Sequence, residues 1–423
     1  EGTSTFGTQY VATSNNLSAN KSKGTIAKGT ILKNIIVRLR SNATNFAFDL
    51  QSVKSKETIK AFTFDSVSPN TDNTFDLGNY VVPEDVTVFV NSPVSASKGG
   101  IENIDGGLVA AYLVTKKDNK VNINCWGDSL TMGAGSTDSS NKDVVINKMV
   151  ELGYTSTLFD GNINYPTMLQ ILLGNEYNVN NLGVGGENIN TIAARQGAAP
   201  MVINDDIIIK KDLKETELQP NVLLSAFDYQ STVKPLLQGS DLSVNPCYVN
   251  GVECNLGYSD NTYKIQRKNA SNTDITAPKG TILLTNGMKE YYNNGIVILW
   301  CWTNGGYDGN DDLLIGKLKK IISSLKTNKI ILVGVHNLNE TASISQEKKL
   351  QGEFGARFFN WRLYSVKNAL DDFGIEKTEN DTISIGQGNI PPSLLHDEVH
   401  LNQAGYMILG YKLYELIRIL GYI

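Results

Sequence analysis

The spacing of apolar residues changes near residue 120, and this change limits the folds that the chain can adopt. Between about residues 3 and 114, short apolar segments alternate with Asn, Ser, Gly and Asp, without a helical period. Strand-sized runs separated by turn residues, such as 31–39 and 86–90, are typical of all-β proteins. The pattern predicts a β-sandwich over residues 1–117.

After a polar junction near residue 118, strand patterns alternate with amphipathic helix patterns. The predicted elements are strands at 121–126, 179–182, 296–302 and 329–335 and helices at 165–173, 311–325, 351–373 and 402–419. This alternation predicts an α/β domain with a parallel sheet covered by helices on both faces, over residues 118–204 and 293–423. In such sheets the functional crevice lies beyond the carboxyl ends of the strands.

Residues 205–292 return to a β pattern and predict an inserted β module. Its many Asn, Ser, Thr and Tyr side chains suit a surface that binds carbohydrate. Asn250 and Gly251 give a two-residue hairpin signal that places Cys247 opposite Cys254. A disulfide between these cysteines is geometrically feasible, and two free thiols fit the sequence equally well.

Composition excludes several classes of function. The formal net charge of −5 and the scattered lysines give no basic surface for a nucleic-acid backbone. The longest apolar stretches, such as 295–302, are too short to span a bilayer. The cysteines and histidines form no cluster with metal-ligand spacing. We therefore expect no nucleic-acid partner, no membrane insertion, no metal and no cofactor.

The residues best suited to chemistry are a serine and a distant histidine. Ser129 follows the predicted strand at 121–126, and Asp397 precedes His400 by three residues. A serine hydroxyl becomes a useful nucleophile beside an imidazole that a carboxylate holds in one tautomer. The sequence favours His400 as that base and Asp397 as its partner. The alternative is that Asp397 and His400 only cap the helix after Asn402.

Four short blocks resemble the SGNH or GDSL family of serine esterases. They are Gly-Asp-Ser-Leu at 127–130, Asn-Leu-Gly-Val-Gly-Gly at 181–186, Asn304, and Asp-Glu-Val-His at 397–400. The resemblance implies a flavodoxin-like hydrolase domain with Ser129 as nucleophile and an Asp397–His400 pair. It also implies an oxyanion hole formed by the Ser129 and Gly186 N–H groups and the Asn304 side chain. The third block departs from the family, which usually has Gly at position 302 and often Asp at 305, where this chain has Trp302 and Gly305.

Four further residues are candidate substrate contacts. Arg195 follows the second block and suits a carboxylate or sugar hydroxyls, although a solvated helix end explains it equally well. Trp302 and Tyr307 flank the third block and suit stacking on a sugar face, with core packing as the alternative for Trp302. His336 follows a predicted strand at its carboxyl end, where a substrate contact or a solvated loop histidine both fit.

The module layout is similar to that of SGNH modules in bacteriophage tail-spike or tail-fibre proteins. This resemblance implies removal of O-acetyl groups from a bacterial surface polysaccharide, an extracellular or virion location and often a homotrimer. A secreted bacterial carbohydrate esterase fits the same residues. Two other functions stay open: a carbohydrate-binding or adhesive fibre module whose site has decayed, suggested by Trp302, and a sugar acyltransferase.

Overall fold

The computed structural model describes residues 25–26, 28, 31–39, 43–68, 71, 73–91, 108–115, 120–219, 222–228, 243–289, 294–336 and 340–423. The chain forms two units, Glu1–Asn119 and Lys120–Ile423. The predicted boundary between residues 117 and 118 lies outside the described residues. The segment 205–292 belongs to the second unit together with the residues on either side of it.

The first unit consists of two antiparallel sheets. One has the strand order β1-β6-β3-β4 and the other β5-β2-β7. The strands are β1 (Thr25–Ile26), β2 (Ile31–Leu39), β3 (Ala43–Ser52), β4 (Thr58–Val67), β5 (Asn73–Val81), β6 (Val86–Asn91) and β7 (Leu108–Thr115).

Alternating side chains explain why this segment forms strands. Along β5, Phe75 and Leu77 are partly or fully buried, whereas Thr74 and Asp76 are exposed. Phe64 of β4 stacks on Phe75 with ring centroids 4.2 Å apart. Since β4 and β5 belong to different sheets, aromatic side chains join the apolar faces of the two sheets.

The second unit contains a larger set of strands and helices. Its strands are β8 (Val121–Gly127), β9 (Tyr177–Gly183), β10 (Met201–Ile203), β11 (Ile207–Ile209), β12 (Thr216–Leu218), β13 (Leu223–Ser225), β14 (Cys247–Val249), β15 (Val252–Ser259), β16 (Thr262–Arg267), β17 (Ile275–Ala277), β18 (Ile296–Trp300), β19 (Lys329–Val333) and β20 (Phe358–Phe359). Its helices are α1 (Ser129–Met132), α2 (Lys142–Glu151), α3 (Tyr165–Leu173), α4 (Ile189–Gln196), α5 (Asn286–Lys289), α6 (Asp311–Ser324), α7 (Glu340–Phe354), α8 (Trp361–Tyr364), α9 (Leu370–Phe373), α10 (Glu379–Gly386) and α11 (Gln403–Ile419).

The central sheet of this unit is parallel, with the order β20-β19-β18-β8-β9. All of β18 is buried, as expected for a strand covered by helices on both faces. Gly127, the last residue of β8, pairs with Gly183 of β9 and with Trp300 of β18. The three strands end at one level, so the loops after them share one edge of the sheet. The predicted α/β arrangement is confirmed.

Side-chain caps define the start of several helices. Asn164, Asn310 and Asn402 accept hydrogen bonds from amides in the first turns of α3, α6 and α11. Pro166 lies in the first turn of α3, where its missing N–H removes no helical bond. Among the helices of the described residues, none has both the length and the apolar character needed to cross a membrane.

The long helix predicted over residues 351–373 is wrong. Helix α7 ends at Phe354, and the short strand β20 follows before α8 and α9, which a π turn at Ser365–Ala369 joins. Phe358 is buried and pairs with Leu332 at the edge of β19. Burial at the sheet edge therefore outweighs the apolar pattern that favoured one continuous helix.

Residues 205–292 carry most of three small antiparallel sheets with the orders β10-β13, β11-β17 and β12-β16-β15-β14. Their apolar core includes Leu256 and Ile265 and extends to Ala194 of α4. In the β14–β15 hairpin, Cys247 lies opposite Cys254, and both are buried free thiols. The segment is thus packed against the α/β part of its own unit.

Candidate active site

The candidate nucleophile lies at the carboxyl edge of the central sheet. Ser129 is the first residue of α1 and follows the buried strand β8 after one residue, Asp128. The Asp128 carboxylate accepts a hydrogen bond from the Leu130 amide at 2.9 Å and so caps the turn. A Cβ at Gly127 would collide with the Thr131 side chain and the Trp300 carbonyl. Only glycine therefore fits the tight strand-to-helix turn that presents the Ser129 hydroxyl.

His400 contacts both of its predicted partners. Its Nε2 lies 2.9 Å from the Ser129 Oγ, and its Nδ1 lies 2.8 Å from Asp397 Oδ2. The serine and the histidine are 271 residues apart in the sequence. The fold thus brings together a hydroxyl, an imidazole and a carboxylate in the order needed to activate a serine.

The loop that carries His400 is held in place by backbone hydrogen bonds. Asp397 Oδ1 accepts the amides of Val399 at 2.8 Å and His400 at 2.6 Å. The His396 amide donates to the His400 carbonyl at 2.8 Å. Asn402 itself caps α11 through the Gly405 amide. The alternative in which Asp397 and His400 cap this helix is therefore wrong.

The carboxylates at the site have opposite pKa shifts. Partial burial raises the pKa of Asp397, but hydrogen bonds from the His400 ring and from the amides of His400 and Val399 outweigh it and bring the pKa to about 2. Burial raises the pKa of Asp128 to about 7, although the Leu130 amide and the neighbouring Thr303 hydroxyl moderate the rise. Asp397 is therefore ionised at neutral pH and suited to stabilising an imidazolium.

The three predicted oxyanion donors are Ser129, at the start of α1, and Gly186 and Asn304, in the turns after β9 and β18. Gly186 has φ +77, a left-handed conformation that favours glycine. The Asn304 side-chain nitrogen donates to the Glu187 carbonyl at 2.8 Å, which uses one of its two hydrogens. Within the described part of the chain, the Ser129 and Gly186 amides donate no hydrogen bond to another protein group. All three groups retain an N–H for an incoming oxygen.

The structure corrects the prediction that Arg195 contacts substrate. Its side chain is 1% exposed, and Nε and one terminal nitrogen both donate to Glu187 Oε2, at 3.0 and 2.7 Å. The guanidinium carbon lies 5.1 Å from the centroid of the Trp126 ring. A side chain enclosed in this way has no face to offer a substrate.

Trp302, Tyr307 and His336 are also buried, so the structure corrects the prediction that they contact substrate, and it favours the core-packing alternative for Trp302. The Trp302 indole donates to Gln346 Oε1 at 3.1 Å, and the Gln346 amide donates to the Tyr307 hydroxyl at 3.2 Å. His336 Nε2 lies 2.8 Å from the Val399 carbonyl. Burial lowers the pKa of His336 to about 4, so this ring is neutral and donates from Nε2. These side chains therefore hold the 302–307 loop and the loop that carries His400 in place.

Two residues at the site were missed in the sequence. Glu187 holds Arg195 with its side chain and Asn304 with its carbonyl. An acidic residue eight positions before an arginine across a short helix was the available signal. Gln346 joins the loop at 302–307 to α7. No sequence signal marks it, because its partners lie about 40 residues away in the chain.

A second aspartate–histidine pair lies nearby. His396 Nδ1 lies 3.2 Å from Asp138 Oδ2, and the other Asp138 oxygen accepts the Ser140 hydroxyl at 2.6 Å. The Asp138 carboxylate therefore lies between Ser140 and His396, and His396 does not contact the Ser140 hydroxyl. This arrangement lacks the order of groups found at Ser129.

Comparisons with known proteins give no family assignment. No family model matches the chain, and no curated protein matches it.

Three solved structures are similar along most of the chain. The first is a carbohydrate esterase family 2 enzyme plus carbohydrate binding domain from Corynascus thermopiles (Myceliophthora fergusii), with 13% identity and a TM-score of 0.31, covering 94% of this chain and 96% of that chain. The second is an active site mutant of a family two carbohydrate esterase from Clostridium thermocellum in complex with celluohexase, with 9% identity and a TM-score of 0.32, covering 96% and 94%. The third is an acetyl xylan esterase from the rumen bacterium Butyrivibrio proteoclasticus, with 10% identity and a TM-score of 0.25, covering 99% and 98%. At these TM-scores we rest no argument on the likeness.

Proposed function

We propose that the chain is a serine esterase of the SGNH type that removes O-acetyl groups from a bacterial surface polysaccharide. The observation that carries the proposal is the position of the His400 ring, which contacts Ser129 with one nitrogen and Asp397 with the other. In this proposal the first unit is a β-sandwich, and the second is a flavodoxin-like hydrolase domain with an inserted carbohydrate-binding module.

The proposed reaction has two steps. His400 Nε2 takes the Ser129 proton while the serine oxygen attacks the acetyl carbonyl carbon, and the oxyanion accepts hydrogen bonds from the N–H groups of Ser129, Gly186 and Asn304. The intermediate collapses, and His400 gives the proton to the departing sugar oxygen, which leaves as a hydroxyl group. Water, deprotonated by His400, then attacks the acetyl-serine, which releases acetate and restores the serine.

A small acyl group on a polar carrier fits the composition of the sequence. The apolar lid or amphipathic cover that a lipase needs is not evident in the sequence between the four blocks. The β-rich parts of the sequence, 1–117 and 205–292, contain many amide, hydroxyl and phenol groups, which hydrogen-bond and stack on polyhydroxylated chains. A sugar ester therefore suits the protein better than a long-chain lipid ester.

The location and assembly are proposed from the sequence resemblance to phage tail-spike modules. The protein then acts outside the cell, on a phage tail as a homotrimer or as a secreted bacterial enzyme. Sedimentation of the full chain distinguishes a trimer from a monomer. Infection by a phage lacking the gene tests the tail assignment.

The alternative of a decayed binding module rested on Trp302 in the third block. The Trp302 ring is buried and donates a hydrogen bond to Gln346. Asn304, two residues later, uses one of its two amide hydrogens and keeps the other for a substrate oxygen. The departure from the family pattern is thus accommodated in the core, which favours an active enzyme. A sugar acyltransferase uses the same residues, and partitioning of acetyl groups between water and added sugar distinguishes it.

The decisive experiment compares the wild type with Ser129→Ala on a small chromogenic acetate ester. We expect a loss of at least about 10³-fold in turnover, with unchanged circular dichroism and thermal unfolding. Ser140→Ala, at an exposed serine in the next loop, is the matched control and retains full activity. Undiminished turnover in Ser129→Ala contradicts the proposal. Nuclear magnetic resonance of acetylated polysaccharides before and after treatment then reports which bond is cleaved.

A further inference from the structure

Arg195 lies at the centre of a buried hydrogen-bond network beneath the candidate active site. Beyond its two bonds to Glu187, one terminal nitrogen donates to the Ser243 hydroxyl at 2.8 Å. The other lies 3.4 Å from the carbonyl oxygen of Gly127. The charge pair is shielded from bulk solvent, because Arg195 and Glu187 have side-chain exposures of 1% and 0%.

Two of these contacts lead directly to groups used in the proposed reaction. Gly127 is the last residue of β8, and Ser129 follows it after one residue. Glu187, on the other side, accepts the Asn304 side chain with its backbone carbonyl. The Gly305 carbonyl also accepts the Ile189 amide at 3.4 Å, which ties the two loops together. One guanidinium therefore connects the nucleophile's strand to the loop that holds the third oxyanion donor.

The segment 205–292, here called the inserted β segment, supplies the remaining contacts of this network. Ser243 is fully buried, and the Thr285 hydroxyl donates to the Arg195 carbonyl at 2.8 Å. A Cβ at Gly287 would lie 3.0 Å from the Trp126 ring and 3.2 Å from the Arg195 carbonyl oxygen. The segment thus approaches the backbone of α4 closely enough to fix the position of Arg195.

A fully buried charge pair contributes little net stability, since its removal from water offsets much of the attraction between the charges. Its geometry is nevertheless strict, because the planar guanidinium makes several bonds in fixed directions. Such a group is suited to setting the distance between elements that must not shift during a reaction.

We propose that Arg195 is a positioning residue that sets the geometry between Ser129 and Asn304, and that the inserted β segment holds it there through Ser243. This inference rests on the proposed esterase function. It gives the inserted segment a role in catalysis that is separate from binding of the polysaccharide. Arg195 itself touches neither substrate nor reacting atoms.

The test compares Arg195→Lys with Arg362→Lys. Arg362 forms the matched pair: it is also buried, and it donates to both oxygens of Glu347 and to the Gly388 carbonyl, none of which belongs to a predicted catalytic or oxyanion residue. Both variants keep the positive charge and lose the planar fork. We expect Arg195→Lys to lower kcat by roughly 10- to 100-fold with KM changed less than about threefold, because misplaced groups slow the chemical step. Arg362→Lys is expected to lower the unfolding temperature and leave kcat unchanged.

Ser243→Ala and a double variant with Asn304→Ala keep the proposal testable if Arg195→Lys does not fold. Ser243→Ala leaves the charge pair intact and is expected to reduce kcat about two- to fivefold. In the Asn304→Ala background this reduction is expected to shrink, since the donor being positioned is already gone. Equal kcat in Ser243→Ala and wild type, or full multiplicativity in the double variant, overturns the inference. Lack of Ser129-dependent hydrolysis in the wild type instead overturns the proposed function.

Discussion

The two carboxylate oxygens of Asp397 have different partners: Oδ2 lies 2.8 Å from His400 Nδ1, and Oδ1 accepts hydrogen bonds from the Val399 and His400 amides. The loop geometry and the orientation of the ring thus depend on one carboxylate. An asparagine placed there can keep the backbone bonds through its carbonyl oxygen, but it offers an N–H to the ring. The imidazole then takes the wrong tautomer and cannot accept the serine proton.

We therefore expect Asp397→Asn to lower kcat by about 10³- to 10⁴-fold while the protein stays folded. Ester hydrolysis measured at saturating substrate gives the value. Asp138→Asn alters the other carboxylate that contacts a histidine and is the matched control, with turnover close to wild type. Equal losses in the two variants contradict a specific role for Asp397.

Asn304→Ala removes the side-chain donor from the predicted oxyanion hole. Because this bond strengthens only as negative charge develops, kcat is expected to fall by about 10²- to 10³-fold with little change in KM. Asn310→Ala, which removes the cap of α6 a few residues later, is expected to cost about 1 kcal/mol of stability and to leave kcat unchanged. A rise in KM alone for Asn304→Ala assigns the residue to ground-state binding instead.

His336 is expected to support the catalytic loop through its Nε2–H bond to the Val399 carbonyl. Glutamine places an amide nitrogen near the position of Nε2, whereas asparagine is too short to reach it. We expect His336→Gln to keep kcat within about threefold and His336→Asn to lose roughly tenfold. Turnover that is equal in the two variants contradicts this role.

The same residue predicts a pH effect on stability. Burial lowers the pKa of His336 to about 4, so between the ordinary value of 6.5 and pH 4 the unfolded chain binds a proton that the folded protein does not. The wild type is therefore expected to lose up to roughly 3 kcal/mol relative to His336→Gln as the pH falls through this range. Urea unfolding of both proteins at several pH values measures the difference.

The raised pKa of Asp128 predicts that stability changes with pH in the opposite direction. Its folded pKa is raised by burial from 3.8 to about 7, so stability is greatest at low pH and falls as the pH rises between these values. Asp128→Asn keeps an oxygen for the Leu130 amide and removes the buried charge. Relative to wild type, the variant is expected to gain up to roughly 4 kcal/mol between pH 4 and pH 7. Parallel unfolding curves over that interval rule out such a titration.

Gly183 and Gly185 differ in the space that a methyl group would find. At Gly183 it would lie 2.6 Å from the Thr131 carbonyl carbon and would collide with the Met132 amide, whereas at Gly185 the nearest atom is Met132 Cε at 3.6 Å. Gly183→Ala is expected to displace α1, to cost roughly 1–3 kcal/mol and to lower turnover. Gly185→Ala is expected to unfold at the wild-type temperature, and a scanning calorimeter compares the two.

The sequence was sufficient to predict those features that depend on local spacing. Ser129 comes just after a strand that the apolar pattern predicts, and Asp397 lies three residues before His400 in one short loop. Both positions can therefore be found from local sequence. The parallel sheet likewise follows from alternation between strand and helix patterns. Each of these patterns is visible within a short stretch of sequence, although the contacts that follow join distant residues such as Ser129 and His400.

The wrong predictions involve residues whose surroundings come from distant parts of the chain. Arg195 looks like a solvated helix end until Ser243 and Glu187 enclose it, and Trp302 looks like a stacking platform until Gln346 covers it. Phe358 lies in a strand because it pairs with Leu332 at the edge of β19. Polarity alone does not determine burial, since a charged or aromatic side chain is stable inside when its hydrogen bonds are satisfied.

The separation of Ser129 from its base also has a consequence for synthesis. A ribosome adds about 5–20 residues per second, so the serine emerges roughly 15–55 s before the histidine 271 positions later. A nascent chain interrupted anywhere in that interval holds a nucleophile without a proton acceptor. In the proposed mechanism, hydrolysis therefore cannot begin until His400 has been added, and chains that terminate before it are expected to be inert toward the esters that the protein is proposed to cleave.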